Sequence, residues 1–192
     1  FIARLLHEAG VPEACFQVLP GEGERLGAPL VESVDTVSFT GSTAVGRKVA
    51  AHAGRELVPA SLELGGNGPM VVRADAPLGR TVTGAVRGGF ASAGQLCIAT
   101  ERIYVHESRY DAFCDRLVER VRGLDLGADF DYSTDVGSLI SEAQLSKVQS
   151  HIDGAVEVGA TLLTGGRHRP DVGPLVYEPT VLTDVPDATS VA

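Results

Sequence analysis

An α/β fold with a largely parallel sheet is predicted by how two hydrophobic periodicities alternate along the 192 residues. Short runs rich in β-branched and aromatic residues, such as VSF, MVV and RIYV, are each followed by a stretch with apolar residues three and four apart. Glycine clusters separate them, as turns between strands and helices require. With 44% hydrophobic and 21% charged residues, the composition is that of a globular protein rather than a disordered or fibrous one. The length suits one large domain or two partial ones.

The elements follow in order. FIARLLHEAG places Phe1, Ile2, Leu5, Leu6 and Ala9 on one helical face, with Gly10 as a stop. Residues 16–19 form a strand candidate, ended by PGEGERLG, whose Gly/Pro content predicts a turn or exposed loop. A second strand, 36–39, runs into TGSTAVGRKVAAHAG, where Ser42 or Thr43 can cap a helix ending near Gly54. SLEL and MVV, separated by GGNGP, predict strand, tight turn and strand, with GGNGP also able to act as a hinge between two lobes. Residues 78–93 suit a buried helix whose small residues permit close approach, and IATERIYV suits a strand. In SRYDAFCDRLVERVRG, positions 110, 113, 114, 117, 118 and 121 share a face, with Ser108 and Asp111 as a capping pair and Gly123 as the stop. A further helix is expected from Ser141 to about Val158, then strands in TLLTGG and PLVYEPTVL.

Composition also excludes function classes. The formal charge of −9, without a basic run, gives a nucleic-acid backbone nothing to bind. No apolar stretch reaches the length of a membrane span, and the N-terminus does not have the pattern of a signal peptide. Three widely spaced cysteines argue against a disulfide framework and for a reducing compartment, which predicts a cytoplasmic protein. The histidines at 7, 52, 106, 151 and 168 have no metal-ligand spacing, so they are expected at the surface and no metal site is predicted.

Three segments can carry chemistry. In FTGSTAVG, a glycine turn between strand and helix points backbone N–H groups at an anion. It is neither GxGxxG nor a P-loop, because Lys48 comes one position late and no Ser or Thr follows it, and it can equally serve only to start a helix. In LELGG, Glu63 ends an apolar run: half-buried it would suit a general base, and the alternative is a strand-end carboxylate turned to solvent. In GFASAGQLCIATERIYV, Cys97 occupies a turn that substrate can reach, whereas Cys15 and Cys114 are expected in the core.

FTGSTAVG, LELGG and FASAGQLC, in this order, resemble the nucleotide-binding turn, glutamate motif and cysteine motif of the aldehyde dehydrogenase superfamily. The resemblance continues through TERIYV, DVGSLIS, GATLLTGG and YEPTVLTDV, and so covers nearly the whole chain. The phrase GQLCIATERIYVHES is most similar to members acting on succinate semialdehyde or aromatic aldehydes. The fold it implies is a partial Rossmann-like nucleotide-binding lobe, residues 1–64, followed by most of an α/β catalytic thiol lobe, residues 65–192. Cys97 is implied as the nucleophile, passing through a thiohemiacetal and a thioester, and Glu63 as the general base for hydrolysis to a carboxylic acid. Gly41, Ser42, Gly46 and Leu64 are implied in binding NAD or NADP, and Leu96 and Ile98 in walling the aldehyde pocket.

Asn67 departs from the lysine common after ELGG in the family. The family's upstream Asn and Lys segments, its downstream EEIFGP-type motif and its oligomerisation hairpin have no counterpart among these residues. With an opening inside a helix and without Met, this predicts an internal piece of a larger enzyme, inactive alone, whose parent is a homodimer or homotetramer. Alternatives are a relative that transfers the acyl group to coenzyme A, which would not need Glu63, and a catalytically silent packing module.

Overall fold

A computed structural model describes residues 1–129 and 132–191. Positions 130, 131 and 192 of the predicted second lobe lie outside the described residues. The chain divides into two compact units, Phe1–Leu64 and Gly65–Ala192.

The first unit opens with α1 (Ile2–Glu8), and Gly10 leaves it at φ +95°, a conformation that favours glycine. The strand expected at 16–19 does not form. A 3-10 turn, Glu13–Cys15, precedes a segment in which Val18 and Leu19 are exposed, and among the described residues no strand pairs with it. An apolar run without a partner has no ladder to join. Cys15, expected in the core, is exposed on that turn.

The predicted PGEGERLG loop is mostly helix: α2 (Gly23–Val31) starts inside it and carries Pro29. Apolar Leu26, Leu30 and Val31 recur at helical spacing, and that pattern outweighs the local Gly and Pro content. Strand β1 (Val37–Gly41), helix α3 (Thr43–Arg55) and strand β2 (Ala60–Leu64) then form a βαβ crossover, with β1 and β2 parallel and α3 packed on both. Ser42 caps α3, its Oγ accepting from the Val45 N–H at 3.3 Å.

The second unit repeats the crossover with β3 (Gly68–Val72), α4 (Leu78–Phe90) and β4 (Thr100–Val105), β3 and β4 again being parallel. GGNGP is therefore not a hairpin turn, since β2 and β3 belong to different sheets. The helix expected over 78–93 stops at Phe90 because Ser92 and Ala93 take positive φ. Helix α5 (Tyr110–Arg122) ends at Gly123 and buries Phe113, Leu117 and Val121. Ser108 is not its cap: it lies in the 3-10 turn Glu107–Arg109, where its N–H donates to His106 Nδ1 at 3.2 Å.

Val72, Val82, Ala85 and Val86 close this core from β3 and α4. A second cluster, Leu139, Leu145, Ile152 and Tyr177, is built around α6 (Glu142–Glu157), which Ser141 caps through the Gln144 N–H at 3.2 Å. Strands β5 (Thr161–Thr164) and β6 (Val181–Thr183) pair antiparallel, so the sheet prediction holds for the two crossovers and not for this pair. Of PLVYEPTVL only its last residues are strand. Pro179 has no N–H to give a ladder, and Tyr177 forms only an isolated bridge with His168.

Candidate functional site

In the first unit, parallel pairing brings the sequence-predicted residues to one end of the sheet. The register sets Thr40 beside Glu63 and Gly41 beside Leu64, at the C-terminal ends of both strands. Ligands of open α/β sheets bind at that end, where the following helix begins. Leu64 reaches over α3: a Cβ on buried Gly46 would lie 2.5 Å from Leu64 Cδ2, so glycine lets the strand end and the helix approach this closely. Gly41 is bare for a similar reason, since a Cβ there would lie 2.6 Å from Phe39 Cζ.

Val45 gives its N–H to Ser42 Oγ and Gly46 gives its N–H to the Ser42 carbonyl, so the Thr43 and Ala44 N–H groups face outward along the axis. No acidic residue occupies the first turn of α3, and Arg47 and Lys48 follow it. The arrangement suits a phosphate-bearing ligand. Glu63 is exposed at the end of β2, so its carboxylate is open to water.

Cys97 belongs to the second unit, on the segment between α4 and β4, and its side chain is exposed. The backbone before it is unusual. Ser92, Ala93 and Gly94 have φ of +52°, +56° and +72° in succession. For the two non-glycine residues the left-handed region costs about 1–2 kcal/mol each, so tertiary contacts must hold them there. Several contacts are close. Ala93 packs on the α6 cluster. A Cβ on Gly88 would sit 2.6 Å from Thr100 Oγ1, and one on Gly94 3.1 Å from the Gly89 carbonyl oxygen. Gly68 abuts the Ala99 carbonyl so closely that no Cβ fits, and Gly66 passes the Cys97 carbonyl. Leu96 and Ile98, on either side of the thiol, are exposed, Ile98 at 82%.

Sequence and fold agree on one assignment. The chain belongs to the aldehyde dehydrogenase family. It matches that family over residues 1–192. It is 48% identical over 183 residues to a Mycobacterium tuberculosis protein provisionally named succinate-semialdehyde dehydrogenase (NADP(+)) 2, covering 95% of this chain and 35% of the relative. Its fold is similar to the crystal structure of succinate-semialdehyde dehydrogenase from Burkholderia pseudomallei, at TM-score 0.92 and 41% identity over 99% of this chain and 40% of that one. It is also similar to an NAD-dependent aldehyde dehydrogenase from Sinorhizobium meliloti, at TM-score 0.94 and 40% identity over 100% of this chain and 38% of that one. The chain thus spans about a third of the length of its curated relative.

Of the other two thiols in this aldehyde dehydrogenase chain, Cys15 is exposed like Cys97, whereas Cys114 is half-buried. Burial pushes the Cys114 thiol up from its ordinary value, with Asp111, Asp115 and Asp184 adding to the effect. Cys114 packs against the core as its helical position predicts. Of the histidines, His7, His52, His151 and His168 are half-buried rather than at the surface. His7 Nε2 bonds the Phe16 carbonyl at 2.9 Å, and His52 Nε2 bonds Glu32 Oε1 at 3.0 Å. Among the described residues no group of three or more His, Cys, Asp or Glu side chains is placed to hold a metal ion. No described helix is long and apolar enough to cross a membrane.

Sequence reasoning singled out the thiol and missed what supports it. Gln95 makes three side-chain hydrogen bonds, two of them to residues more than forty positions away. The only local hint was an amide side chain next to the small-residue run ASAG.

Proposed function

We propose that this chain carries the nucleophile and the general base of an NAD(P)-dependent oxidation of an aldehyde to a carboxylic acid. The observation that carries the reading is the exposed Cys97 thiol, which follows three residues after the left-handed run Ser92–Gly94 and whose carbonyl lies against Gly66. In this reading residues 1–64 are the C-terminal part of a nucleotide-binding domain and residues 65–192 a catalytic domain. The α3 N-terminus fits a dinucleotide pyrophosphate: Ser42 orders the first turn, and Gly41 and Gly46 leave room for the Phe39 and Leu64 side chains packed beside it. A bound nicotinamide supplies the hydride acceptor.

Cys97 Sγ, as thiolate, forms a bond to the carbonyl carbon, and the carbonyl π electrons move to oxygen, giving a thiohemiacetal. The Cys97 backbone N–H is the chain's own donor to that oxygen. After two-electron oxidation at this carbon the acyl group remains on Cys97 as a thioester. Glu63 then takes a proton from water as its oxygen adds to the acyl carbon, the C–S bond breaks, and the acid leaves with the thiolate restored. Glu63 favours hydrolysis over acyl transfer to coenzyme A, which needs no such base. The names of the relatives favour succinate semialdehyde as the substrate. Assembly as a homodimer or homotetramer and residence in the cytoplasm belong to the same proposal.

The test is made on the full-length native protein. Cys97→Ser is expected to lower kcat by about a thousandfold or more, while Cys15→Ser leaves it within about twofold. Glu63→Gln is expected to give a burst of reduced nicotinamide near one equivalent and then turn over about a hundredfold more slowly. A Cys97→Ser variant retaining a tenth of the activity overturns the nucleophile assignment.

A further inference from the structure

The Gln95 side chain ties the segment that bears Cys97 to residues 138–140 of the same unit. Gln95 Nε2 donates to the Ser92 carbonyl at 3.1 Å and to the Ser138 carbonyl at 3.3 Å, and Gln95 Oε1 accepts from the Ile140 N–H at 2.9 Å. Both amide hydrogens and the carbonyl oxygen are therefore engaged, and the flipped amide would set donor against donor and acceptor against acceptor. The Gln95 backbone N–H also donates to the Ser92 carbonyl, so main chain and side chain of one residue converge on the start of the left-handed run.

The receiving segment is itself fixed. Leu139 is buried at 7% exposure and gives its N–H to the Leu175 carbonyl at 2.9 Å, and Ser141 caps α6 one residue after Ile140. Ala93, on the near side of Gln95, packs on the same α6 cluster. The thiol thus lies two residues beyond a staple between the left-handed run and the α6 sub-core, and beyond the thiol the chain enters β4.

We propose that Gln95 is a positioning residue for the Cys97 nucleophile, acting by holding the 92–97 backbone on the 138–140 segment. The proposal rests on Cys97 being the nucleophile. A reacting sulfur misplaced by about 1 Å loses on the order of a hundredfold in rate without losing substrate contacts made elsewhere, so the signature is a fall in kcat at nearly constant KM.

The experiment compares Gln95→Ala and Gln95→Met in the full-length native protein. Methionine keeps the length and volume of glutamine and makes none of the three hydrogen bonds, which also guards against a variant that fails to fold. Both variants are expected to lose at least about tenfold in kcat with KM within about threefold. Amide hydrogen exchange is expected to rise in peptides covering 92–97 and 138–141 and to stay unchanged in α5. Recovery of kcat by Gln95→Met to within about twofold of the native protein would reduce Gln95 to packing and overturn the proposal. Faster exchange at 138–141 with native kcat would overturn it as well. The exchange readout does not depend on which residue is the nucleophile, so its failure is distinct from an active Cys97→Ser, which would overturn the functional reading instead.

Discussion

The two units solve the same βαβ problem with very different amounts of core. Among the described residues the first unit buries only Val31 and Ala53 as apolar side chains, and the second buries sixteen. Neither β1 nor β2 contributes a buried residue, whereas β3 supplies Val72, and α4 and α5 supply six more to one cluster. A 64-residue unit with two buried apolar side chains is marginal by itself, because two-stranded sheets need a packed face. The contrast extends to the chemistry. The thinly packed unit presents its residues on regular elements, and the well-packed unit holds its thiol on an irregular, strained segment. Strain at Ser92 and Ala93 can persist only where surrounding packing over-determines it.

The largest effect that could break this contrast comes from the core of the second unit. Phe113 is 1% exposed and centred among α4, α5 and β3. Phe113→Ala is expected to cost about 3–5 kcal/mol through lost burial and a residual cavity. Val31→Ala in the first unit is expected to cost about 1.5 kcal/mol, the transfer value of its two lost methyl carbons. Hydrogen exchange resolved by unit in a urea series measures both. Equal losses of protection would show that the first unit has a core as strong as the second.

The same division explains what could be read from the sequence. The local structure of the first unit's candidate site was legible because its determinants are local: strand, glycine turn and Ser42 cap lie within a few residues, and the 3.6-residue period of α3 follows at once. The secure helix around Phe113, Leu117 and Val121 was legible for the same reason. The errors arose where a distant partner, or the absence of one, decides the outcome. Residues 16–19 have strand composition but no neighbour to pair with. The Gly and Pro content of PGEGERLG did not keep it a loop, because the apolar spacing of α2 prevailed. The helix expected to reach residue 93 was broken by a left-handed run that Gln95 ties to residues 138–140, contacts that no window of sequence contains.

A sharper comparison substitutes one glycine in each unit. At Gly68 an added Cβ meets the Ala99 carbonyl, a backbone group immediately before β4, whose Thr100 pairs with Gly68, so Gly68→Ala is expected to destabilise the second unit by about 2 kcal/mol. At Gly46 the added Cβ meets the end of the Leu64 side chain, which can rotate, and alanine recovers about 1 kcal/mol of helix propensity. Gly46→Ala is therefore expected to leave stability within about 0.5 kcal/mol and to displace Leu64, raising the KM for the dinucleotide. Thermal melts and cofactor titrations separate the two cases. A large loss of stability at Gly46 would show that Leu64 has nowhere to go and that the first unit is packed more tightly than its burial implies.

The smallest effect concerns alkaline pH, and it reaches only one unit, because all four tyrosines lie beyond residue 64. Tyr177 is buried in the α6 cluster, and that burial, with the nearby Asp153 and Glu178 carboxylates adding to it, pushes its hydroxyl up to about 12. Burial pushes Tyr110 and Cys114 up as well. The folded state therefore keeps these protons at a pH where the unfolded chain has already released them. Their contribution is fully present below the unfolded value, near 10 for tyrosine, and is lost as pH rises through about 12. Urea midpoints measured from pH 9 to 12 should fall for peptides of the second unit, and Tyr177→Phe should flatten the part of the slope above pH 10. The first unit, whose only thiol is the exposed Cys15, should show no matching slope from a buried thiol or phenol. An unchanged slope in Tyr177→Phe would mean that water reaches the hydroxyl, and that the α6 cluster which anchors Ala93 and receives Gln95 is looser than the core around Phe113.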